Sequence, residues 1–311
     1  MVGRHRWLTF TAHLILIIGV LVTLFPLWIA FVASTHPMEN LLSGRFPLLP
    51  GPDLIEIYSE VLLRGQSRGS GIPATQMMLN SLIMAVGITA GKILVSFTAA
   101  FAIVYFRFAG RNVFFFLIFI TLMLPVEVRI VPTYDVVANV LGPLQSLLEV
   151  TRLDRLIESL AGIEVNLNWR LLNSYTGLIL PLIASATATF LFRQFFQTIP
   201  DELIEAAQID GAGPMEFMWR ILLPLSTTNL AALSVILFLY GWNQYLWPLL
   251  VAQQEKYLTI VVGIQRIVNT AETQPIWNQA MALSILALLP PVLVIIFMQR
   301  LFLKALIDAE K

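Results

Sequence analysis

Leu14–Ser34 holds no charged side chain. Wound as a helix, the run is about 31 Å long, which matches the hydrocarbon thickness of a bilayer. Lipid offers no partner for a free N–H or C=O, so a chain segment that crosses it alone must be helical. Five further apolar runs follow: Asn80–Phe106, Val113 to about Tyr134, Thr176–Phe192, Ser226–Val251 and Ala280–Met298. The pattern predicts an all-α integral membrane protein with six transmembrane helices. Charged residues make up 12% of the chain, about half the share of a soluble domain. Leu14–Ser34 reads as a retained span rather than a cleaved signal, because it exceeds a signal core and more spans follow.

Six spans place both termini on one side. With the N-terminus inside, the inner segments 1–13, 107–112, 193–224 and 300–311 carry as many Lys and Arg as the outer ones, which are about twice as long. That density bias puts both termini in the cytoplasm. The expected bends fall at Pro125, Pro181 and the Pro290–Pro291 pair. Three segments are expected: 1–78 as first helix and first outer loop, 79–303 as a core of five helices, and 304–311 as a cytoplasmic tail. Outside the spans, 144–161 mixes Leu144, Leu147, Leu148, Leu156, Ile157 and Leu160 with charges, the pattern of an amphipathic helix on the outer face.

Several chemistries are excluded or lack support. There is no cysteine, hence no disulfide or thiolate site. The histidines His5, His13 and His36 are too scattered for zinc. No P-loop is present, and a net charge of zero gives no nucleic-acid footprint. A self-contained carrier or membrane enzyme would call for an internal repeat or a catalytic cluster, and neither is evident.

Between the fourth and fifth runs lies Thr198–Pro224, the longest interior stretch of mixed, charge-bearing character. Thr198 is placed to cap a helix, Pro200 to sit in its first turn, and Asp201 and Glu202 to suit its positive end. Leu203, Ala206 and Ala207 share a face that can dock. Gly211 and Gly213 end the helix and Pro214 starts another. Within it, Glu205-Ala206-Ala207, then Gly211, then Ile221, Leu223 and Pro224 follow the spacing of the EAA loop, and so this chain resembles the permeases of ATP-binding-cassette importers.

The resemblance covers nearly the whole chain. Met123–Pro132, Ala184–Phe196 and Tyr240–Pro248 are similar to the permeases of sn-glycerol-3-phosphate importers, whereas carbohydrate-uptake permeases tend to carry an acidic residue where this chain has Gln244. Residues around 142–170 stand out as an extra segment. The resemblance implies a type I importer permease fold with a cytoplasmic coupling helix, set in the bacterial inner membrane. It also implies a second homologous permease, a pair of ATPase subunits that carry the ATP and Mg, and a periplasmic substrate-binding protein. This chain would bind no cofactor or metal and catalyse nothing. Glu205 would contact the ATPase subunit, with Ala206, Ala207, Gly211, Ile221, Leu223 and Pro224 shaping the contact. The substrate implied is glycerol-3-phosphate or a glycerophosphodiester; the alternative is a sugar or oligosaccharide.

Candidate pathway residues come from chemistry at depth. Lys92 lies inside the second run, where a cation costs about 2.5–3.5 kcal/mol to insert. It suits either an anionic substrate or an internal pair with Glu127. Arg129 offers a planar fork for phosphate, or a snorkelling anchor. Trp242, Asn243, Gln244 and Trp247 sit in the fifth run between Gly241 and Pro248, where amides need partners from another helix or from a wet pathway.

Overall fold

The computed structural model describes residues 6–42, 47–65, 71–121, 123–151, 168–269 and 276–309. All regular structure among them is helical. The chain divides into two compact units, Met1–Met78 with Ile260–Pro290, and Leu79–Thr259 with Pro291–Lys311.

In the first unit, α1 (Arg6–Ala33) carries Pro26 within it. Its apolar side chains from Trp7 to Trp28 are largely exposed, as suits a helix surrounded by lipid. Its C-terminal end is tied down by polar contacts. The Ser34 and Tyr58 hydroxyls lie 2.9 Å apart. Trp28 Nε1 donates to the Leu48 carbonyl at 3.0 Å, and the Gly51 N–H donates to Thr35 Oγ1 at 2.8 Å. Two short helices follow, α2 (Met38–Leu42) and α3 (Leu54–Ser59), the latter continued by a π turn, Glu60–Arg64. Helix α15 (Ile260–Val268) belongs here, with Gly263 leaving room for the Met77 sulfur.

The spine of the second unit is α4 (Ala74–Tyr105), about 48 Å long. It begins earlier than the apolar run suggests. Gly87 and Gly91, one turn apart, form a small-residue groove that receives Ile179 and Ile183, the close approach by which membrane helices associate. Gly241 does the same on another helix: a Cβ there would stand 2.9 Å from the Ala85 Cα.

The six expected spans do not map one for one onto six unbroken helices. Three stretches are long and apolar enough to cross alone: Thr9–Ala33, Ala74–Tyr105 and Trp277–Gln299. The last lies in α16 (Trp277–Ala309), which runs on unbroken through Pro290 and Pro291. The third expected span is divided into α5 (Arg111–Ile120) and α6 (Val126–Ala138). Pro125 is the reason: it lacks an N–H, holds φ −54° and ψ 144°, and stands at the N-cap of α6, forcing an extended entry. Helix α7 (Gly142–Thr151) takes in the first part of the 144–161 stretch; 152–167 lie outside the described residues.

The fourth span is bent by 47° between Tyr175–Leu182 and Ala186–Phe196. Its parts are α8 (Tyr175–Ile179), a 3-10 turn, and α9 (Ala186–Phe196). Ser185 is extended at the break, and its hydroxyl accepts from the Ala188 N–H. The fifth run opens at Asn243–Tyr245, between α13 (Thr227–Trp242) and α14 (Leu246–Val251).

Candidate coupling element and buried cation site

The interior loop folds as α10 (Asp201–Ile209), α11 (Pro214–Phe217), a π turn (Met218–Leu222) and α12 (Leu223–Leu225). The Pro214–Leu225 arm meets α13 at 75°. Thr198 does not cap α10. Its hydroxyl donates to the Phe195 carbonyl at 2.7 Å, and Pro200, with ψ 139°, holds the N-cap without a side-chain bond. Asp201 and Glu202 do occupy the first turn, where the helix dipole favours them.

The end of α10 is a Schellman motif. The Ala212 N–H reaches the Ala207 carbonyl at 2.9 Å and the Gly211 N–H reaches that of Gln208 at 3.1 Å. Gly211 sits at φ +80° between them, the left-handed conformation this motif requires. Gly213 then caps α11, and Pro214 fills its first turn, where a missing N–H costs nothing. Pro224 likewise has no N–H to donate to the Arg220 carbonyl; in the π turn just before it, the Leu223 N–H donates to the Met218 carbonyl.

The expected docking face is split. Ala207 is buried, 5% exposed, in an aromatic cluster with Phe101, Phe196 and Phe217. Ile204 packs against the same cluster, as do Ile221 and Leu223. Leu203, Glu205, Ala206 and Ile209 are exposed. Successive edge-on rings, such as Tyr105 on Phe217 at 5.4 Å and Phe97 on Phe196 at 5.1 Å, contribute about 0.5–1.5 kcal/mol each beyond burial. So one side of α10 is fixed to the spans, and the other offers Glu205 and exposed apolar groups outward. Beside it opens a cleft of about 970 Å³ lined by Tyr105, Arg107, Arg111, Gln197, Glu205 and Gln208 among others.

The second constellation surrounds Lys92, about 27 Å from one end of α4 and about 20 Å from the other. Lys92 is 6% exposed. Its Nζ stands 3.6 Å from the centroid of the Tyr240 ring on α13. No carboxylate among the described residues is found within ion-pair distance of it. The side chain of Glu127 lies outside the described residues. Arg129, exposed on α6, is near enough for its charge to act on both Lys92 and Tyr240. A desolvated cation–π contact is worth about 2 kcal/mol, whereas the penalty for withdrawing an ammonium from water is several kcal/mol. The ring therefore offsets only part of the cost.

The remaining pathway candidates have separate places. Trp242 is buried and stacks on Phe238 at 5.9 Å. Trp247 is buried and donates to the Gly177 carbonyl at 3.2 Å. Asn243 is exposed at the break, and half-buried Gln244 donates to the Tyr240 carbonyl at 3.2 Å. Lys92, Arg129 and Gln244 are thus gathered around Tyr240, while the two tryptophans are packed into the helix bundle. Tyr240 itself was not singled out from sequence. Its signal was the four-residue step to Gln244, which places both on one side of a helical turn.

Residues 92–308 match the family described as "Binding-protein-dependent transport system inner membrane component". The chain is 51% identical over 311 residues to the "sn-glycerol-3-phosphate transport system permease protein UgpE" of Yersinia pestis bv. Antiqua, with all of both chains covered. It is 51% identical to the protein of that name from Salmonella typhi and 49% identical to that of Escherichia coli O1:K1, again over the full length of each. The 142–170 stretch is therefore not peculiar to this chain. Among solved structures, a chain from "Crystal structure of a bacterial ABC transporter involved in the import of the acidic polysaccharide alginate" superposes with a TM-score of 0.71 at 19% identity, over 96% of this chain and 98% of that one. That likeness concerns the fold. By the family match and the full-length identity together, this chain belongs to the inner-membrane permease components of binding-protein-dependent transport systems.

Proposed function

We propose that this permease moves sn-glycerol-3-phosphate, or a related glycerophosphodiester, from periplasm to cytoplasm. The observation that carries the reading is identity of about half, sustained from end to end, with permeases named for that substrate. Both termini and the Thr198–Pro224 element face the cytoplasm in this reading. The chain works with a second permease, a periplasmic binding protein that selects substrate, and a pair of ATPase subunits that hold ATP and Mg.

The mechanism is alternating access. The exposed side of α10, with Glu205 and Ala206, seats on the ATPase subunit. Ala207, Ile221 and Leu223 tie α10 and the following arm to the aromatic cluster, and Gly211 and Pro224 shape the turns between them. Movement of the ATPase pair is thereby delivered to α4, α9 and α13. ATP and the loaded binding protein must bind the outward state more tightly than the inward one, because a ligand shifts an equilibrium only by its differential affinity.

The test is reconstitution of the whole complex with its binding protein, following ATP hydrolysis and labelled uptake. Stimulation by glycerol-3-phosphate and not by maltose supports the reading. Stimulation by sugar alone leaves the importer architecture and removes the substrate.

A further inference from the structure

We infer that this subunit itself holds the substrate's phosphate in transit, and that Lys92 is the group that holds it, parked on the Tyr240 ring while the site is empty. The inference rests on the glycerol-3-phosphate reading above. Three observations lead to it. Lys92 is buried in the middle third of the longest helix of its unit, with no described carboxylate beside it. Its Nζ faces an aromatic ring at 3.6 Å. A second cation, Arg129, acts on the same place from α6.

The choice of partner matters. A carboxylate against Lys92 would compete with substrate as a full charge in a desolvated place. A ring holds the ammonium by its quadrupole alone, and it has no lone pair that accepts strongly from all three N–H donors. A phosphate monoester brings up to two negative charges and several acceptor oxygens, so it displaces the ring and gains what the ring could not supply. When the phosphate leaves, Lys92 returns to Tyr240 and is not stranded. Gln244, bonded to the Tyr240 carbonyl at 3.2 Å, fixes the turn that carries the ring at the point where the helix opens. A neutral sugar supplies no countercharge, so the same arrangement disfavours it.

The experiment uses the assembled complex in liposomes, with labelled glycerol-3-phosphate. Lys92→Gln is expected to lower uptake about 30-fold or more, as loss of one member of a desolvated charge pair does. The ATP hydrolysed per molecule delivered should rise about tenfold or more, because delivery by the binding protein still triggers hydrolysis. Lys92→Arg should recover most of the uptake. Tyr240→Leu should reduce uptake, and Tyr240→Phe, which keeps the ring, should restore it. If uptake and hydrolysis fall together in Lys92→Gln, or neither falls, the lysine is structural and the inference fails. If adding Glu127→Gln to Lys92→Gln rescues uptake, the lysine belongs to an internal pair and the inference fails as well. Wild-type complex that takes up no glycerol-3-phosphate would instead sink the substrate reading itself, a separate result.

Discussion

Gly241 lies so close to Ala85 that a Cβ on it would stand 2.9 Å from the Ala85 Cα and 3.3 Å from its carbonyl oxygen. Both of these atoms belong to the backbone of α4, which cannot turn aside as a side chain does. The contact sets the depth of α13 against α4 one residue after Tyr240, and so helps to set the distance from the ring to Lys92. Gly241→Ala is expected to destabilise the complex by about 1–3 kcal/mol, the usual cost of overpacking. Gly87→Ala is the comparison. Its new Cβ would meet the Ile179 side chain, nearest at Cδ1 at 2.6 Å, which can rotate, so the loss should be smaller. Thermal unfolding of the purified complex in detergent distinguishes the two; equal losses would remove the special status of the Gly241 contact.

Gly211 and Gly213 give a second contrast, this time of conformation rather than space. Neither has an atom within 4 Å of a built Cβ. Gly211 sits at φ +80° and Gly213 at φ −72°. Gly211→Ala should therefore cost about 1–2 kcal/mol from the left-handed backbone, while Gly213→Ala should be nearly neutral. Because Gly211 closes the Schellman motif behind Glu205, uptake should fall with Gly211→Ala and not with Gly213→Ala.

These features differ in how plainly the chain announces them. The Gly-x-Gly-Pro sequence at 211–214 can be read directly, since Gly is favoured just past a helix end and Pro in the first turn of a helix. Runs without charge located the membrane stretches for the same kind of reason, the demand of lipid for internal hydrogen bonds. The breaks were less legible. Pro125 marks one, and the third span is divided there; the Asn243–Tyr245 opening has no proline at its centre and is signalled only by Gly241 and Pro248 on either side. The Thr198 cap fails because Pro200, two residues later, holds the N-cap position, while the Thr198 hydroxyl donates back to the Phe195 carbonyl at the end of α9. The step from Tyr240 to Gln244 is a local pattern, but it says nothing of Lys92, which meets the ring from another helix nearly 150 residues away in sequence.

Glu205 is exposed, and no ion pair to it is found among the described residues. Glu205→Ala should therefore change the stability of the permease by no more than about 0.5 kcal/mol, as for an ordinary surface site. In the proposed function it should nonetheless weaken seating of the ATPase subunit and lower uptake. The measurements are thermal unfolding of the permease pair and co-purification of the ATPase subunit. A variant that loses stability but keeps the ATPase subunit would contradict the coupling role.

Asn80 supports the last prediction. It is fully buried, and its amide nitrogen donates to the carbonyls of Lys256 and Leu258 at 2.9 and 2.8 Å, while its Oδ1 accepts from the Tyr175 hydroxyl at 2.7 Å. One side chain thus joins α4, α8 and the loop after α14. Asn80→Leu keeps approximate volume but leaves two carbonyls and a hydroxyl short of a partner, at about 1–3 kcal/mol for each buried group that stays unsatisfied. Tyr175→Phe removes only the hydroxyl, and its cost should be about 1 kcal/mol, since Asn80 keeps both of its donated bonds. Asn80→Asp separates donors from acceptor: it retains the bond from Tyr175 but sets a carboxylate against two carbonyl oxygens, so it should be as damaging as leucine or worse. If Asn80→Asp proves milder than Tyr175→Phe in thermal unfolding, the amide donors are not what holds the 256–258 loop to α4.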